Sequence, residues 1–344
     1  MMPTWLRSIA AWDIAPLPSG RVRFPIRSSE GEHAVAEDER GLWLSVYSTA
    51  GGWQADQVFA DRTSAAAPAI AVDEGKLYCA HRGARQQDGR YLPLRVTTYA
   101  PELLDVLRGE VTEDRLLGEA VETPALTVHR GGLVCAHTLA EPSGGTRIAV
   151  TPLGGEEPSA PALEDAIAPA LVSYGDALHL FAVAPLYGKI IHRVAPTARG
   201  PWEKPAGGDT AYGMLRVWNK TGPYPANLSA AVHDGSIHLV YRFGSDDARL
   251  MHAVYDGGTW HKPAPLGEGH TSRRGAAVAS YDGRLHAVYP SSRADRLRHA
   301  VYDGRTWDEG TDLDEHDSRN TPALAPVHDA VTGTYTLLLV HRSA

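Results

Sequence analysis

The chain repeats itself, and its period limits the folds open to it. The clearest copies are Ile237 to Trp260, IHLVYRFGSDDARLMHAVYDGGTW, and Leu285 to Trp307, LHAVYPSSRADRLRHAVYDGRTW. Each holds two apolar strands and a tight turn. Upstream of each lies another short strand, AAVHDG at Ala230 and AVASYDG at Ala277. Asp-Gly supplies the positive φ that a two-residue hairpin needs. The unit is therefore strand A, an Asp-Gly turn, strand B, a variable loop, strand C, an Asp-Gly turn ending in Trp, and strand D.

Four antiparallel strands in roughly 47 residues make one blade of a β-propeller. Degenerate A and B strands recur at PAIAVDEGKLYCAHR from Pro68, PALTVHRGGLVCAHT from Pro124 and PALVSYGDALHLFAV from Pro169. The last copy, PALAPVHDAVTGTYTLLLVHR from Pro322, runs to the C-terminus without C and D strands of its own. The chain is read as one all-β domain over residues 1–344, with a closing blade shared between N-terminal strands and 317–344. Two closures compete. LWLSVYSTAGGW at Leu42 matches a C strand with its Trp turn, which gives six blades and leaves the first 40 residues as an arm. Alternatively, HAVAEDERGLWLSVYS from His33 is an A and B pair, and LRSIAAWD with RVRFPI closes a seven-bladed ring. Seven is favoured, because an arm carrying Trp5, Ile9, Trp12, Val22, Phe24 and Ile26 needs somewhere to bury them. Leu42, Leu77, Leu133, Leu178, Ile237, Leu285 and Leu337 then mark equivalent second strands.

Composition agrees with many strands and many turns: 34 glycines and 24 prolines sit between short apolar runs, and 43% of the 344 residues are hydrophobic. The 33 basic residues are scattered and outnumbered by 41 acidic ones, which argues against a nucleic-acid partner. Neither the start of the chain nor any later segment has the apolar run of a signal peptide or a membrane span, so a cytoplasmic location and no membrane partner are expected. Cys79 and Cys135 occupy the same position of consecutive repeats. Equivalent strands of stacked sheets lie about 10 Å apart, beyond disulfide reach, so both are read as buried free thiols of a reducing compartment.

The repeats resemble those of sialidase-like propellers and of bacterial seven-bladed lectins whose repeats read like LHLVYRG followed by an aromatic strand and DGxxW. The resemblance is strongest from Tyr224 to Trp307. Asp256 to Trp260 and Asp303 to Trp307 are one residue shorter than the sialidase Asp-box and lack its Ser. The resemblance implies the fold and does not carry sialidase activity.

His179, His238 and His286 follow the first residue of strand B in three successive repeats, and His192, His252 and His299 sit on strand C of the same repeats. Their spacing tracks the repeat, so they are read as hydrogen-bonded structural residues. No close ligand spacing of a zinc site is present, and neither metal nor cofactor is expected. A second column closes strand B: Tyr47, His81, His137, Ala182, Tyr241, Tyr289 and His341, with arginine following at Arg82, Arg242 and Arg342. Arginine grips a carboxylate or phosphate bidentately, and the resemblance to sialidase-like enzymes implies an arginine cluster near the axis for that purpose. Two insertions interrupt the ring. One, from Ala84 to Glu122, contains PELLDVLRGEVTEDRLLGE, read as a short helix. The other, from Pro196 to Tyr224, leads into MLRVWNKTGPYPAN, which places Arg216 and Trp218 in a D–A loop.

The expected ligand site lies on the face bearing the B–C and D–A loops, at the channel mouth, and comprises His81, Arg82, Arg216, Trp218, Tyr241, Arg242, His341 and Arg342. Cationic donors beside an aromatic platform suit a carbohydrate or another polar or anionic small molecule. An intracellular lyase, hydrolase or cyclase with one asymmetric site on the same face is the alternative.

Overall fold

The computed structural model describes residues 40–83, 93–99, 111–141, 145–154, 161–184, 188–205, 227–244, 247–318, 320–329 and 334–344. The chain opens on β1 (Arg40–Ser48), β2 (Gly52–Trp53) and β3 (Gln57–Ser64). Blade 1 follows as β4 (Ala69–Asp73), β5 (Lys76–Arg82), β6 (Pro93–Tyr99) and β7 (Val111–Glu119). Blade 2 is β8 (Ala125–His129), β9 (Gly132–Ala140), β10 (Thr146–Pro152) and β11 (Pro161–Glu164). Blade 3 has β12 (Ile167–Tyr174), β13 (Ala177–Ala184) and β14 (Lys189–Ala195), and a single bridge from Val194 to Glu203 marks its outer edge. Blade 4 is β15 (Leu228–His233), β16 (Ser236–Arg242), β17 (Leu250–Tyr255) and β18 (Ala264–Pro265). Blade 5 is β19 (Ala277–Tyr281), β20 (Arg284–Pro290), β21 (Arg296–Tyr302) and β22 (Thr311–Asp317). Finally β23 (Ala323–Asp329) and β24 (Thr334–Arg342) join β1, β2 and β3 in blade 6.

The ring therefore has six blades, and the seven-blade closure is corrected. Arg40–Ser48 is one strand, third in its blade, with Leu44 opposite Val340 on one side and Trp43 opposite Val58 on the other. Leu42, Leu44 and Val46 alternate into the core against Leu77 and Cys79 of blade 1. The seven-blade reading made this strand second in its blade, and its antiparallel pairing with β24 makes it third. Trp53 folds back onto Tyr47 as Trp307 folds back onto Tyr302. Leu42 and Tyr47 thus belong to a C strand, while Leu77, Leu133, Leu178, Ile237, Leu285 and Leu337 all lie in second strands. The first strands of the six blades neighbour one another in cyclic order, from β4 round to β23 and back to β4. LRSIAAWD and RVRFPI lie outside the described residues.

The A–B turns have the chemistry read from the sequence. Asp234 and Gly235, like Asp282 and Gly283, both have positive φ, the geometry of a type I′ hairpin. The second Asp-Gly works differently. Asp303 Oδ1 accepts the amides of Arg305 and Thr306, each at 2.8 Å, and Asp256 Oδ1 accepts those of Gly258 and Thr259. This Asx turn swings Trp307 and Trp260 back over their own C strands. Within PELLDVLRGEVTEDRLLGE, read as holding a short helix, residues 101–110 lie outside the described residues, and Val111–Glu119 is the outer strand of blade 1. Ladder bonds to β6 and ion pairs of Asp114 with Arg62 and Arg95 hold it there.

Second strands are buried on both faces, which fills the space between blades. On β20, Leu285, Ala287 and Tyr289 pack against Val240 of blade 4, while Val288 packs with Leu337 and Leu339 of blade 6. Cys79 and Cys135 are buried in this way and free, as expected. Burial pushes both thiols up to about 12.

Candidate functional site

The six histidines in register form three pairs inside the seams between blades. His179 Nδ1 lies 3.0 Å from His192 Nε2, His238 Nδ1 2.8 Å from His252 Nε2, and His286 Nδ1 2.9 Å from His299 Nε2. Each pair receives the Trp of the next blade's C–D turn. Trp307 Nε1 donates to His252 Nδ1 at 3.2 Å, and Trp53 Nε1 donates to His299 Nδ1 at 3.1 Å. Because the indole can only donate, those Nδ1 atoms accept, Nε2 carries the proton, and it donates to the second imidazole. In the third copy Trp260 stacks edge-on against His192 at 5.5 Å without the bond. Burial lowers all six pKa values: to about 4 for His179, His238 and His286, about 3 for His252 and His299, and about 2 for His192. The pairs are neutral and structural, as their spacing suggested.

The strand-end column is buried rather than open. His81 Nε2 bonds Thr97 Oγ1 at 3.1 Å, Thr97 donates to Asp114, and burial lowers the imidazole's pKa. The Tyr241 hydroxyl is buried with no hydrogen-bond partner, and burial raises its pKa. Tyr289 donates to His270 Nδ1 at 2.7 Å, and His270 Nε2 donates to the Asp308 carbonyl. His341 meets Asp56, which lies between β2 and β3 and also holds His316 of β22. Nε2 of His341 is 2.9 Å from one carboxylate oxygen, and Nδ1 of His316 is 2.5 Å from the other. Burial raises the Asp56 carboxyl, but the two imidazoles more than offset this and bring it down to about 2. Trp43 stands opposite His341 across the ladder, on the same face of the sheet.

The three arginines fall at two places on the B–C and D–A face. Arg342 Nη1 donates to the carbonyl of Ala65, and the Ala65 amide donates to the carbonyl of Arg82. Arg342 and Arg82 therefore frame one D–A loop at the seam between blades 6 and 1. Arg82 is buried and Arg342 half-buried. Arg242 closes β16 in blade 4, across the ring from blade 1, near Asp247, whose carboxyl Arg249 holds below the usual range. Arg216 and Trp218 lie outside the described residues.

At the axis, residues in or just before all six A strands line a cavity of about 120 Å³. Pro68, Pro124, Pro169 and Pro322 recur around it, with Ala, Leu, Ile and Val between them. Asn227 Nδ2 donates to Thr321 Oγ1 at 2.6 Å, linking blade 4 to blade 6 beside Gly275. A Cβ on Gly275 would lie 2.3 Å from the Asn227 carbonyl oxygen, so only glycine fits there. None of the six described residues expected at the channel mouth lines this cavity.

No protein-family model matches the sequence, and no curated protein matches it. The fold does have solved relatives. A triple arginine-to-alanine mutant of AofleA from Arthrobotrys oligospora superposes with a TM-score of 0.56 at 10% identity, over 86% of this chain and 81% of that one. The Hadza microbial sialidase Hz136 superposes with a TM-score of 0.52 at 15% identity, over 72% of this chain and 57% of that one. A mutant of Aleuria aurantia lectin in complex with Fucalpha1-6GlcNAc gives 0.48 at 11% identity, over 82% and 93%. What the chain shares with AofleA and the sialidase is the β-propeller fold.

Proposed function

We propose that the protein is a carbohydrate-binding propeller that holds its ligand on the rim of the B–C and D–A face. The observation that carries this reading is the axial cavity. Organic-ligand pockets run to roughly 300–1,000 Å³, whereas this one measures about 120 Å³, and its lining residues include no titratable side chain. An acid/base mechanism at the axis would have nothing to work with among the described residues. The rim, by contrast, sets the half-buried guanidinium of Arg342 beside the carbonyl of Ala65, and the half-buried Arg242 at the strand end of blade 4. Guanidinium donors beside carbonyl acceptors match sugar hydroxyls, which both donate and accept. The sequence adds Arg216 and the indole of Trp218 as a donor and a stacking platform leading into β15.

A glycan array probed with the labelled full chain tests the reading. Binding to a defined glycan class, weakened at least about tenfold by Arg342→Ala or Arg242→Ala with an unchanged melting temperature, is the expected result. A blank array refutes sugar recognition, and release of sugar from an array hit transfers the site to the enzymatic alternative.

A further inference from the structure

We propose that Asp56, His316 and His341 form a binding site for a divalent zinc ion, which fastens the opposite ends of the described chain together where the ring closes. Among the described residues these are the one group of His, Cys, Asp or Glu side chains whose ligand atoms all lie within 4.8 Å of one another. Two imidazole nitrogens and a carboxylate oxygen are donors that zinc takes readily, and three protein ligands leave a fourth position for water or a ligand.

The surroundings suit a cation. The three buried histidine pairs contain no carboxylate and bond one another, whereas here a carboxylate lies between two imidazoles whose side chains are only 5% and 1% exposed. The Trp53 ring, 6.0 Å from that of His316, forms an apolar wall beside the site. Such a shell limits water access and strengthens the ion's hold on its ligands. Asp56 itself is 13% exposed, which gives the ion a way in.

The placement gives the site a task. His341 lies on β24 and Asp56 follows β2, so both belong to blade 6 but come from opposite ends of the described chain. His316 lies on the outer strand of blade 5. One ion would therefore join the closing blade's two halves to each other and to the preceding blade. Because the ligands come together only on folding, zinc would bind the closed ring and raise its stability by mass action.

The test uses the untagged full chain, stripped with a chelator and titrated with zinc chloride alone. One equivalent should bind and raise the melting temperature, and cobalt(II) in its place should give the visible absorption of a four-coordinate site. Asp56→Asn and His316→Ala should abolish both effects, while His261→Ala, at an exposed histidine paired with Asp256, should change neither. Failure of the native chain to bind zinc overturns the proposal, as does undiminished binding by folded Asp56→Asn and His316→Ala. Should both variants fail to fold, X-ray absorption on the zinc-loaded native chain decides: two imidazoles with oxygen in the first shell support the site, and any other ligand set overturns it.

Discussion

The seams that follow blades 3, 4 and 5 and those that follow blades 6, 1 and 2 solve one packing problem with different chemistry. In the first group a histidine pair fills the seam, and the tryptophan of the next blade closes over it. In the second group the equivalent positions are apolar. Leu44, Val96 and Val150 stand where His299 stands in blade 5, and they pack with Phe59 and Tyr99, with Leu94 and Cys135, and with Trp202. Trp202 shows the cost of mixing the two. It belongs to a blade whose predecessor presents Val150, and its buried Nε1 has no partner. The difference teaches that the tryptophan is a fold element, and that in two of the three histidine seams the imidazole satisfies its N–H.

Acid should separate the two groups most severely. The six paired histidines have folded-state pKa values below their ordinary 6.5. As pH falls below 6.5 the unfolded chain takes up protons that the folded chain refuses, so stability is lost progressively down to about pH 4. A histidine held at about 4 contributes on the order of 3 kcal/mol of this loss. Protonating even one imidazole in each of the three pairs removes a large part of the roughly 5–15 kcal/mol that holds a typical domain folded. Near-UV circular dichroism should report unfolding before pH 4; an intact signal at pH 4 would mean that the pairs are not held neutral.

Replacing one clasp should cost less. Trp260 is fully packed against Phe181 and His192, and Trp260→Ala should destabilise by about 3–5 kcal/mol in urea denaturation. A finer contrast compares Trp307→Phe with Trp202→Phe. Both lose an indole, but only the first removes a hydrogen bond and strands His252 Nδ1. Trp307→Phe should be the more destabilising by about 1–2 kcal/mol, and equal costs would show that the Trp–His bond adds nothing. The smallest effect is expected at the thiols. Cys79 and Cys135 are fully buried in the apolar seams, so a thiol reagent should label neither until the chain unfolds, and prompt labelling of the native protein would show that those seams open.

The repeat was legible because its chemistry is local. Asp-Gly turns, Trp turns and two-residue alternation place six second strands and the three histidine pairs without any tertiary information. Closure was not legible, since LWLSVYS alternates equally well as a second or a third strand, and only its pairing with Leu337–Arg342 decides between them. The strand-end column could be located but not its environment, because period-two alternation does not say whether a strand end opens on solvent or on the next blade. His341 and Asp56 lie too far apart in sequence for any spacing rule to join them. Arg82 and Arg342 are linked only through a loop carbonyl that no side-chain pattern encodes.

The most direct test of the account is hydrogen exchange on the full chain with and without the tightest-binding glycan from the array. Binding on the B–C and D–A rim predicts slowed exchange in peptides covering 64–67, 82–83, 241–244 and 340–344, with the A–B turns at 73–76, 129–132, 233–236 and 281–284 unchanged. Protection confined to those A–B turns would place the ligand on the opposite face and contradict the account.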